Sequence, residues 1–414
     1  MKSQRARAPA AVADTPGRIA SLEVVVRPAK RTGRGRTTIV ESPVKILATQ
    51  LGLPVHERDT FTGWSPPLPN DSGSPGTAIN MIVAVSFGLF VPKRLLRAAR
   101  YGGLNVHPSL LPDLHGSAPI EHAVLLGRPR TGVTVQTLDE TTFDGGRRLL
   151  QGPVVDSMPT RTDVGLPLPP RCTAADLHAL LAPLGANLLV EVLRQGLYLP
   201  EHADLNVAAP PSLSSSSSST RFEPAPAPKL TKADQQVPWQ GQTAADIDRR
   251  ARALGELWTQ MELLPTKKEK KEKKENKDSK AGLPKIKRAI FDKVDLVAFP
   301  DSLCAVLKAR GRVPPEITRD VDGLQTATFV QEHGSETPHR IMRLPFAVDG
   351  ESIVVPVGVD LDDDGRSRSS CLRIGSIRVE GEKTKAAARA MAAFSSKGDQ
   401  AALDEIAWDV VLHQ

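Results

Sequence analysis

The first half of the chain alternates short runs of apolar, β-branched residues with amphipathic segments. Leu22–Val26 and Asn80–Ser86 have the composition of strands that are buried on both faces. Because strands that alternate with helices favour a mostly parallel sheet, the pattern predicts a Rossmann-like α/β domain over residues 21–199. The predicted strands are 22–26, 80–86, 104–107 and 131–138, and the predicted helices are 43–51, 93–99, 119–126 and 174–194. In the last helix, capped by Thr173, the residues Leu180, Leu184 and Leu188 are predicted to form the apolar stripe.

The composition changes after Leu199. Residues 200–228, which include six consecutive serines, are too poor in large apolar groups to pack and are predicted to be a linker. The remainder, 229–414, is predicted to hold a smaller β-rich domain of OB-like type. Within it, the lysine-rich segment 267–280 has no apolar face and is predicted to be a solvated insertion. The predicted elements are a helix over 244–254, strands over 296–299, 353–359 and 372–379, and a helix over 383–394.

The charge of the chain is distributed unevenly. Fifty-four Lys and Arg against 47 Asp and Glu give a formal net charge of +7, yet residues 1–36 and 267–293 each carry +7, so the rest is acidic. Because local positive potential determines where a polyanion docks, the two segments favour a nucleic-acid partner. The first twenty residues form a basic tail, whose composition fits either an organellar import segment or an ordinary unstructured terminus.

Two classes of protein are disfavoured by composition. The most apolar run, Met81–Val91, is far shorter than the roughly 20 residues of a membrane-spanning helix, so no such helix is expected. Cys172, Cys304 and Cys371 are isolated from one another, which is unlike the spacing of a zinc site or a disulfide framework. The protein is therefore expected to work in a reducing compartment and without a structural metal.

Asn105 and His107 are the first candidates for chemistry. In a strand over 104–107 they are two residues apart, so they lie on one face at the carboxyl end, where α/β sheets form ligand clefts. A carboxamide and an imidazole together can hydrogen-bond one carbonyl oxygen as it becomes an oxyanion, and the imidazole can exchange a proton near neutral pH. The same spacing also fits a turn cap and a structural histidine, because short motifs match by chance.

Asp144 is the second candidate. It precedes Gly145 and Gly146 in a loop beyond the strand 131–138. Glycines allow close backbone approach, and a carboxylate can orient an imidazole and favour its protonated form. A simple Asp-Gly turn is the alternative interpretation.

Several stretches together resemble the folate-dependent formyltransferases, and within that family the methionyl-tRNA formyltransferase branch of fungal or mitochondrial type. The most specific is the run NVHPSLLPDLHGSAPI after Leu104, with TGVT from Thr131 and the Asp144 loop downstream. Further matching stretches, of which those near the C-terminus are less specific, are GRGR at 33–36, SPVK at 42–45, LGLP at 51–54, PKLTKAD at 228–234 with Trp239, RIG at 373–375 and GEKTK at 381–385.

The resemblance implies an activity and a set of site residues. The activity is transfer of a formyl group from 10-formyltetrahydrofolate to the amino group of methionine on initiator tRNA, for translation initiation. Asn105 and His107 would hold the formyl oxygen, and Asp144 would orient His107. The implied folate-binding residues are Phe87, Gly88, Ser109, Leu110, Leu111 and Pro112, and the implied tRNA-binding residues are Lys30, Arg31, Arg34 and Arg36. The domain over 229–414 would also bind tRNA. The resemblance further implies a monomer in the mitochondrial matrix that needs no metal.

The chain departs from that family at its start, where residues 1–21 supply no convincing strand or helix before Leu22–Val26. Loss of a first, central strand is expected to leave neighbouring strands unpaired. Two alternatives therefore stay open. One is a formyltransferase acting on a small amine of the glycinamide ribonucleotide type, and the other is a catalytically inactive RNA-binding relic.

Overall fold

The computed structural model describes residues 19–32, 37–66, 79–152, 154–155, 158–159, 165–200, 223–265, 285–298, 324–331, 340–357, 360–361, 367–368 and 370–397. These residues fall into two compact units. The first comprises ranges 1–120, 129–168 and 175–229, and the second comprises 121–128, 169–174 and 230–414. The Lys-rich segment 267–280 and most of the predicted linker lie outside the described residues.

The secondary structure is as follows. The strands are β1 (Val24–Val26), β2 (Lys30–Thr32), β3 (Thr38–Val40), β4 (Val55–Glu57), β5 (Ile82–Val85), β6 (Gly103–His107), β7 (His115–Gly116), β8 (Arg130–Thr131), β9 (Thr134–Thr137), β10 (Arg148–Gln151), β11 (Val154–Val155), β12 (Met158–Pro159), β13 (Leu166–Pro167), β14 (Pro226–Ala227), β15 (Leu257–Glu262), β16 (Ile286–Ala298), β17 (Leu324–Gln331), β18 (Arg340–Asp349), β19 (Ser352–Pro356), β20 (Asp360–Leu361), β21 (Ser367–Arg368), β22 (Ser370–Val379), β23 (Lys385–Ala386) and β24 (Ser395–Lys397). The helices are α1 (Pro43–Gln50), α2 (Lys93–Ala98), α3 (Pro119–Leu125), α4 (Ala174–Gln195), α5 (Ala244–Leu254) and α6 (Ala387–Met391).

The first unit is built on a four-stranded sheet in the order β10-β9-β6-β5. Strands β5 and β6 are parallel, while β9 is antiparallel to both β6 and β10. A separate parallel pair joins β1 to β4. The α/β class and the parallel pairs agree with the sequence prediction. Within the described part of the chain β5 is an edge strand of this sheet, and its Val83 and Val85 are 43% and 54% exposed.

Helix α4 was predicted almost to the residue, and its buried face in part. The buried positions are Leu177, Leu181, Gly185, Leu188 and Val192. Of the predicted stripe, Leu188 is therefore confirmed, Leu184 is half-buried and Leu180 is exposed. The helix packs closely on the sheet at Gly185, where a Cβ atom would lie 2.9 Å from the side chain of Val106 in β6, and leucine spacing alone did not predict this contact.

By length and composition, α4 is also apolar enough to cross a bilayer, and it is the one such helix in the part of the chain that the structure describes. From the sequence, Met81–Val91 was weighed as the most apolar run and α4 was not considered; length and composition alone do not make α4 a membrane-spanning helix. The buried residues of α4 pack inside the first unit, as a core helix does.

The second unit is an antiparallel barrel. Pairing runs in the order β15-β16-β22-β19-β18-β17, and β15 also pairs with β17, which closes the ring. Alternate residues of these strands point inward, and the core contains Trp239, Phe291, Phe329 and Phe346. The β-rich, OB-like domain predicted for this half is thus present.

Two element predictions in the second unit were wrong in extent. The strand expected over 296–299 is only the end of the 13-residue β16. The helix expected over 383–394 is replaced by β23 and the five-residue helix α6. In both places tertiary pairing overrides the local pattern.

Candidate active site

The central strands of the first unit carry a polar face. In the antiparallel register of β6 and β9, Asn105 lies opposite Gln136 and His107 lies opposite Thr134. Because side chains alternate along a strand, all four project from the same face of the sheet. His107, Thr134 and Gln136 are buried. Four polar groups in the middle of a sheet need partners, and most of these partners come from two loops.

Asp144 reaches this face from the loop between β9 and β10. Its Oδ1 accepts hydrogen bonds from Nδ2 of Asn105 at 3.2 Å and from Nε2 of Gln136 at 2.9 Å. Its Oδ2 accepts one from the backbone N–H of Gly116 at 2.8 Å. The carboxylate is only 6% exposed, and three donors compensate for the water it has lost.

The Asp144 loop is fixed by its backbone. Asp144 itself has a φ of 56°, a left-handed conformation that Asp tolerates better than most residues. Two residues later, a Cβ on Gly146 would lie 1.7 Å from the backbone oxygen of Thr137 in β9. Only glycine permits this approach, and it determines where Asp144 enters the site.

His107 is bonded at one ring nitrogen and faces Asp144 with the other. Its Nε2 lies 3.0 Å from the backbone oxygen of Leu114, and its Nδ1 lies 3.4 Å from Oδ1 of Asp144. Burial lowers the pKa of His107 below its ordinary value, and the charge of Asp144 opposes this without cancelling it. A neutral imidazole has a single N–H, so it donates to only one of these two acceptors, and the other ring nitrogen is unprotonated.

From the sequence, Asp144 was expected to favour the protonated form of His107. The carboxylate does act in that direction, but desolvation of the ring has the larger effect.

The segment predicted to bind folate begins directly after His107. Ser109 and Leu111 are buried, Leu110 is partly buried and Pro112 is exposed. The Ser109 hydroxyl donates to the backbone oxygen of Asp113, and the backbone N–H of Leu111 donates to Oγ1 of Thr134. The polar groups of this loop thus tie it to the sheet.

Two further predicted folate residues leave the sheet at the same end. Val85 is paired with Val106, so Phe87 and Gly88, which follow β5, emerge beside the end of β6. Phe87 packs against Phe61 with ring centroids 5.6 Å apart, and Gly88 has a φ of 74°. Phe143, next to Asp144, is 66% exposed. Aromatic rings therefore lie near this edge of the sheet.

The predicted tRNA-binding residues are only partly described. Lys30 and Arg31 lie on β2, paired with Val40 and Ile39 of β3, and both are exposed. Arg34 and Arg36 lie outside the described residues.

Sequence reasoning missed Gln136 and Gly116. The first had a usable signal, because it is a polar residue at an inward position of the strand-like run TGVTVQTL. The bond of Gly116 to Asp144 joins two loops that are distant in sequence. For Gly146 the sequence predicted a close backbone approach but not its partner, Thr137. Among the described residues, no group of three His, Cys, Asp or Glu side chains is placed to hold a metal ion.

Comparison with known proteins identifies the family of the chain. The family model described as formyl transferase matches residues 19–165, the region that carries β6, β9 and the Asp144 loop, so the first unit is a formyl transferase domain. Methionyl-tRNA formyltransferase of Paracoccus denitrificans is 33% identical over 240 residues, which are 56% of this chain and 67% of that relative. The chain belongs to the methionyl-tRNA formyltransferase family.

Other relatives match over less of their length. The mitochondrial methionyl-tRNA formyltransferase of Saccharomyces cerevisiae is 35% identical over 274 residues, which are 61% of this chain and 64% of that relative. A solved HypX variant from Aquifex aeolicus aligns with 90% of this chain and 47% of its own, at 12% identity and a TM-score of 0.40. The chain spans about half to two thirds of the length of the curated relatives it matches.

Proposed function

We propose that this protein transfers a formyl group from 10-formyltetrahydrofolate to the amino group of methionine on initiator methionyl-tRNA. The observation that carries the proposal is the buried contact of Asn105, His107 and Asp144 within a chain whose relatives are named for this reaction.

The reaction requires one group that stabilises an oxyanion and another that transfers a proton. A new bond forms between the methionine nitrogen and the formyl carbon, the bond from that carbon to N10 of folate breaks, and the proton lost by the amine ends on N10. We assign Asn105 to the formyl oxygen, since its Nδ2 has a second N–H beyond the one given to Asp144.

The proton path is assigned to His107 and Asp144. The unprotonated nitrogen of the neutral His107 ring can take a proton, and the adjacent Asp144 carboxylate stabilises the imidazolium that forms. The sequence also predicted that His107 holds the formyl oxygen; since both of its ring nitrogens lie against acceptors, the backbone oxygen of Leu114 and Oδ1 of Asp144, that role requires one of these contacts to open.

The folate co-substrate is assigned to the loops after β5 and β6. Phe87 and Gly88 would face the pterin, and Ser109, Leu110, Leu111 and Pro112 would line the remaining wall. Support comes from their common position at the carboxyl ends of two parallel strands, where α/β sheets bind ligands.

The tRNA is assigned to the basic hairpin and to the second unit. Lys30, Arg31, Arg34 and Arg36 would contact phosphates at the acceptor end, since guanidinium groups bind phosphate through two donors. Residues 229–414 would bind the rest of the tRNA. We further propose that the protein acts as a monomer in the mitochondrial matrix; the name of the yeast relative supports the mitochondrial location.

The test compares two acceptors. The protein is incubated with 10-formyltetrahydrofolate and either charged initiator methionyl-tRNA or glycinamide ribonucleotide, and formylated product is measured. Formylation of the tRNA alone is expected. Formylation of the small amine alone would replace the proposal, and a folded protein inactive on both would be the RNA-binding relic.

A variant checks the assignment of the histidine. His107→Ala is expected to abolish turnover while leaving tRNA binding near that of the wild type. A variant that retains most of its rate would remove His107 from the mechanism.

A further inference from the structure

Gln136 makes the shortest contact to the Oδ1 atom of Asp144. Its Nε2 lies 2.9 Å from that oxygen, compared with 3.2 Å for Nδ2 of Asn105 and 3.4 Å for Nδ1 of His107. Because Gln136 lies opposite Asn105 in the sheet register, the two amides reach the same carboxylate oxygen from neighbouring strands. Gln136 is therefore built into the sheet, whereas Asp144 comes from a loop.

The orientation of the Gln136 amide is determined by this contact. An ionised carboxylate only accepts hydrogen bonds, so the NH₂ group must face Asp144 and the carbonyl must point elsewhere. Oε1 of Gln136 is buried and has no hydrogen-bond partner among the described residues. Burying an unpaired acceptor is costly, and an apolar side chain of similar size would avoid the cost. The contribution of the amide at this position is therefore the hydrogen bond that it donates to Asp144.

We propose that Gln136 is a positioning residue, which holds the Asp144 carboxylate against His107 and Asn105 for the reaction. The inference rests on the formyl-transfer function proposed above. Without Gln136, the Oδ1 atom keeps only the longer bond from Asn105, so the carboxylate can turn about its remaining bond from Gly116 to Oδ2 and move Oδ1 away from the imidazole. The role is indirect, since Gln136 acts on the reactants through Asp144.

The direct test is the titration of His107, followed by NMR of histidine-labelled protein and assigned with a His107→Asn variant. Gln136→Met keeps the length of the side chain and removes the donor. If Asp144 then moves away from the ring, the imidazolium loses its nearest negative charge and the pKa of His107 falls further. An unchanged or higher pKa would show that Asp144 stays in place without Gln136, and would overturn the proposal.

Gln151 provides the matched control. It is also a buried glutamine of the same sheet, but its Nε2 donates to the backbone oxygen of Leu111 and to Oγ1 of Thr134 rather than to the Asp144 carboxylate. Gln151→Met is expected to leave the pKa of His107 unchanged. A fall equal to that in Gln136→Met would mean that loss of any buried amide disturbs the ring, which contradicts a specific role of Gln136.

Kinetics supply a second measurement. In Gln136→Met, kcat is expected to fall about ten- to a hundredfold while the KM for methionyl-tRNA changes less than about twofold, because the lost interaction acts in the transition state. A raised KM with normal kcat would contradict the assignment. If Gln136→Met does not fold, Gln136→Asn replaces it in both measurements. The shorter side chain of Asn stays polar but places its amide donor farther from Asp144.

The failure of this inference is distinguishable from failure of the proposed function. Wild-type protein that formylates neither amine would refute the function, while the His107 titration would still report whether Gln136 positions Asp144.

Discussion

Replacement of Gly146 by alanine tests whether the Asp144 loop is placed by contact with the sheet. A Cβ at residue 146 would lie 1.7 Å from the backbone oxygen of Thr137, and real Cβ contacts essentially never fall below 3.0 Å. The loop must therefore move by roughly 1 Å, and a misplacement of that size at a reacting group costs about a hundredfold in rate. The Gly146→Ala variant is expected to lose this factor in kcat, equivalent to about 2.7 kcal/mol of transition-state stabilisation.

The neighbouring glycine is the control. A Cβ at Gly145 would meet the Thr142 side chain at 3.0 Å, and Thr142 is exposed and able to shift. The kcat of Gly145→Ala is expected to stay within about threefold of the wild-type value, which corresponds to only a small change in the activation free energy. Formyl transfer is measured at saturating concentrations of both substrates, with a thermal melt of each variant to confirm folding. A Gly146→Ala variant with more than a third of wild-type kcat, or a Gly145→Ala variant equally impaired, would refute the placement of Asp144 by this contact.

Three further predictions concern stability and partner binding. Burial lowers the pKa of His107 in the folded protein, so at pH values below its ordinary pKa near 6.5 the unfolded chain binds the proton first. The free energy of unfolding should therefore decrease by up to about 1.4 kcal/mol for each pH unit below 6.5. The His107→Asn variant should lose less stability on acidification, and identical pH profiles of the two proteins in chemical denaturation would contradict this. Thr259→Val removes the hydrogen-bond acceptor that lies 2.9 Å from Nε1 of the buried Trp239, and it should lower the free energy of unfolding of the second unit by about 1–3 kcal/mol. Urea unfolding followed by tryptophan fluorescence measures this change. An unchanged midpoint would mean that the hydrogen bond contributes nothing to stability. Changing Arg31 and Arg34 to alanine should weaken tRNA binding and reduce the salt dependence of log Kd by about one per lost phosphate contact, and an unchanged slope would remove the hairpin from the interface.

Local sequence signals predicted elements well where they were self-contained. Helix α5 has the predicted bounds of 244–254, because Thr243 and Asp246 form a capping box and Gly255 ends the helix with a φ of 76°. In contrast, most of β16 was missed. One face of this strand is exposed to solvent and the other faces the barrel core, so its sequence mixes polar and apolar residues and contains no continuous apolar segment typical of a buried strand. Its extent is fixed by pairing with β22, far along the chain.

The features of the candidate site can likewise be divided into those that local sequence predicts and those that depend on contacts distant in sequence. The shared face of Asn105 and His107 follows from strand alternation, which acts between residues two apart. The contact of Asp144 with Gly116 joins residues 28 positions apart through two loops, and the contact with Gln136 depends on the register of β9 against β6. A single sequence contains neither loop path nor register, so these partners required the structure.

The most direct test of the central claim is a single-turnover transfer assay with 10-formyltetrahydrofolate and charged initiator methionyl-tRNA, comparing the wild type with Asp144→Asn. Asp144→Asn keeps the size of the side chain but removes the charge that faces His107 at 3.4 Å. The wild type is predicted to produce formyl-methionyl-tRNA, and the rate of the variant is predicted to be at least about a hundredfold lower. Losses of this size follow removal of a group that stabilises charge in the transition state. Equal rates in the two proteins, or no formyl-methionyl-tRNA from a folded wild type, would contradict the central claim.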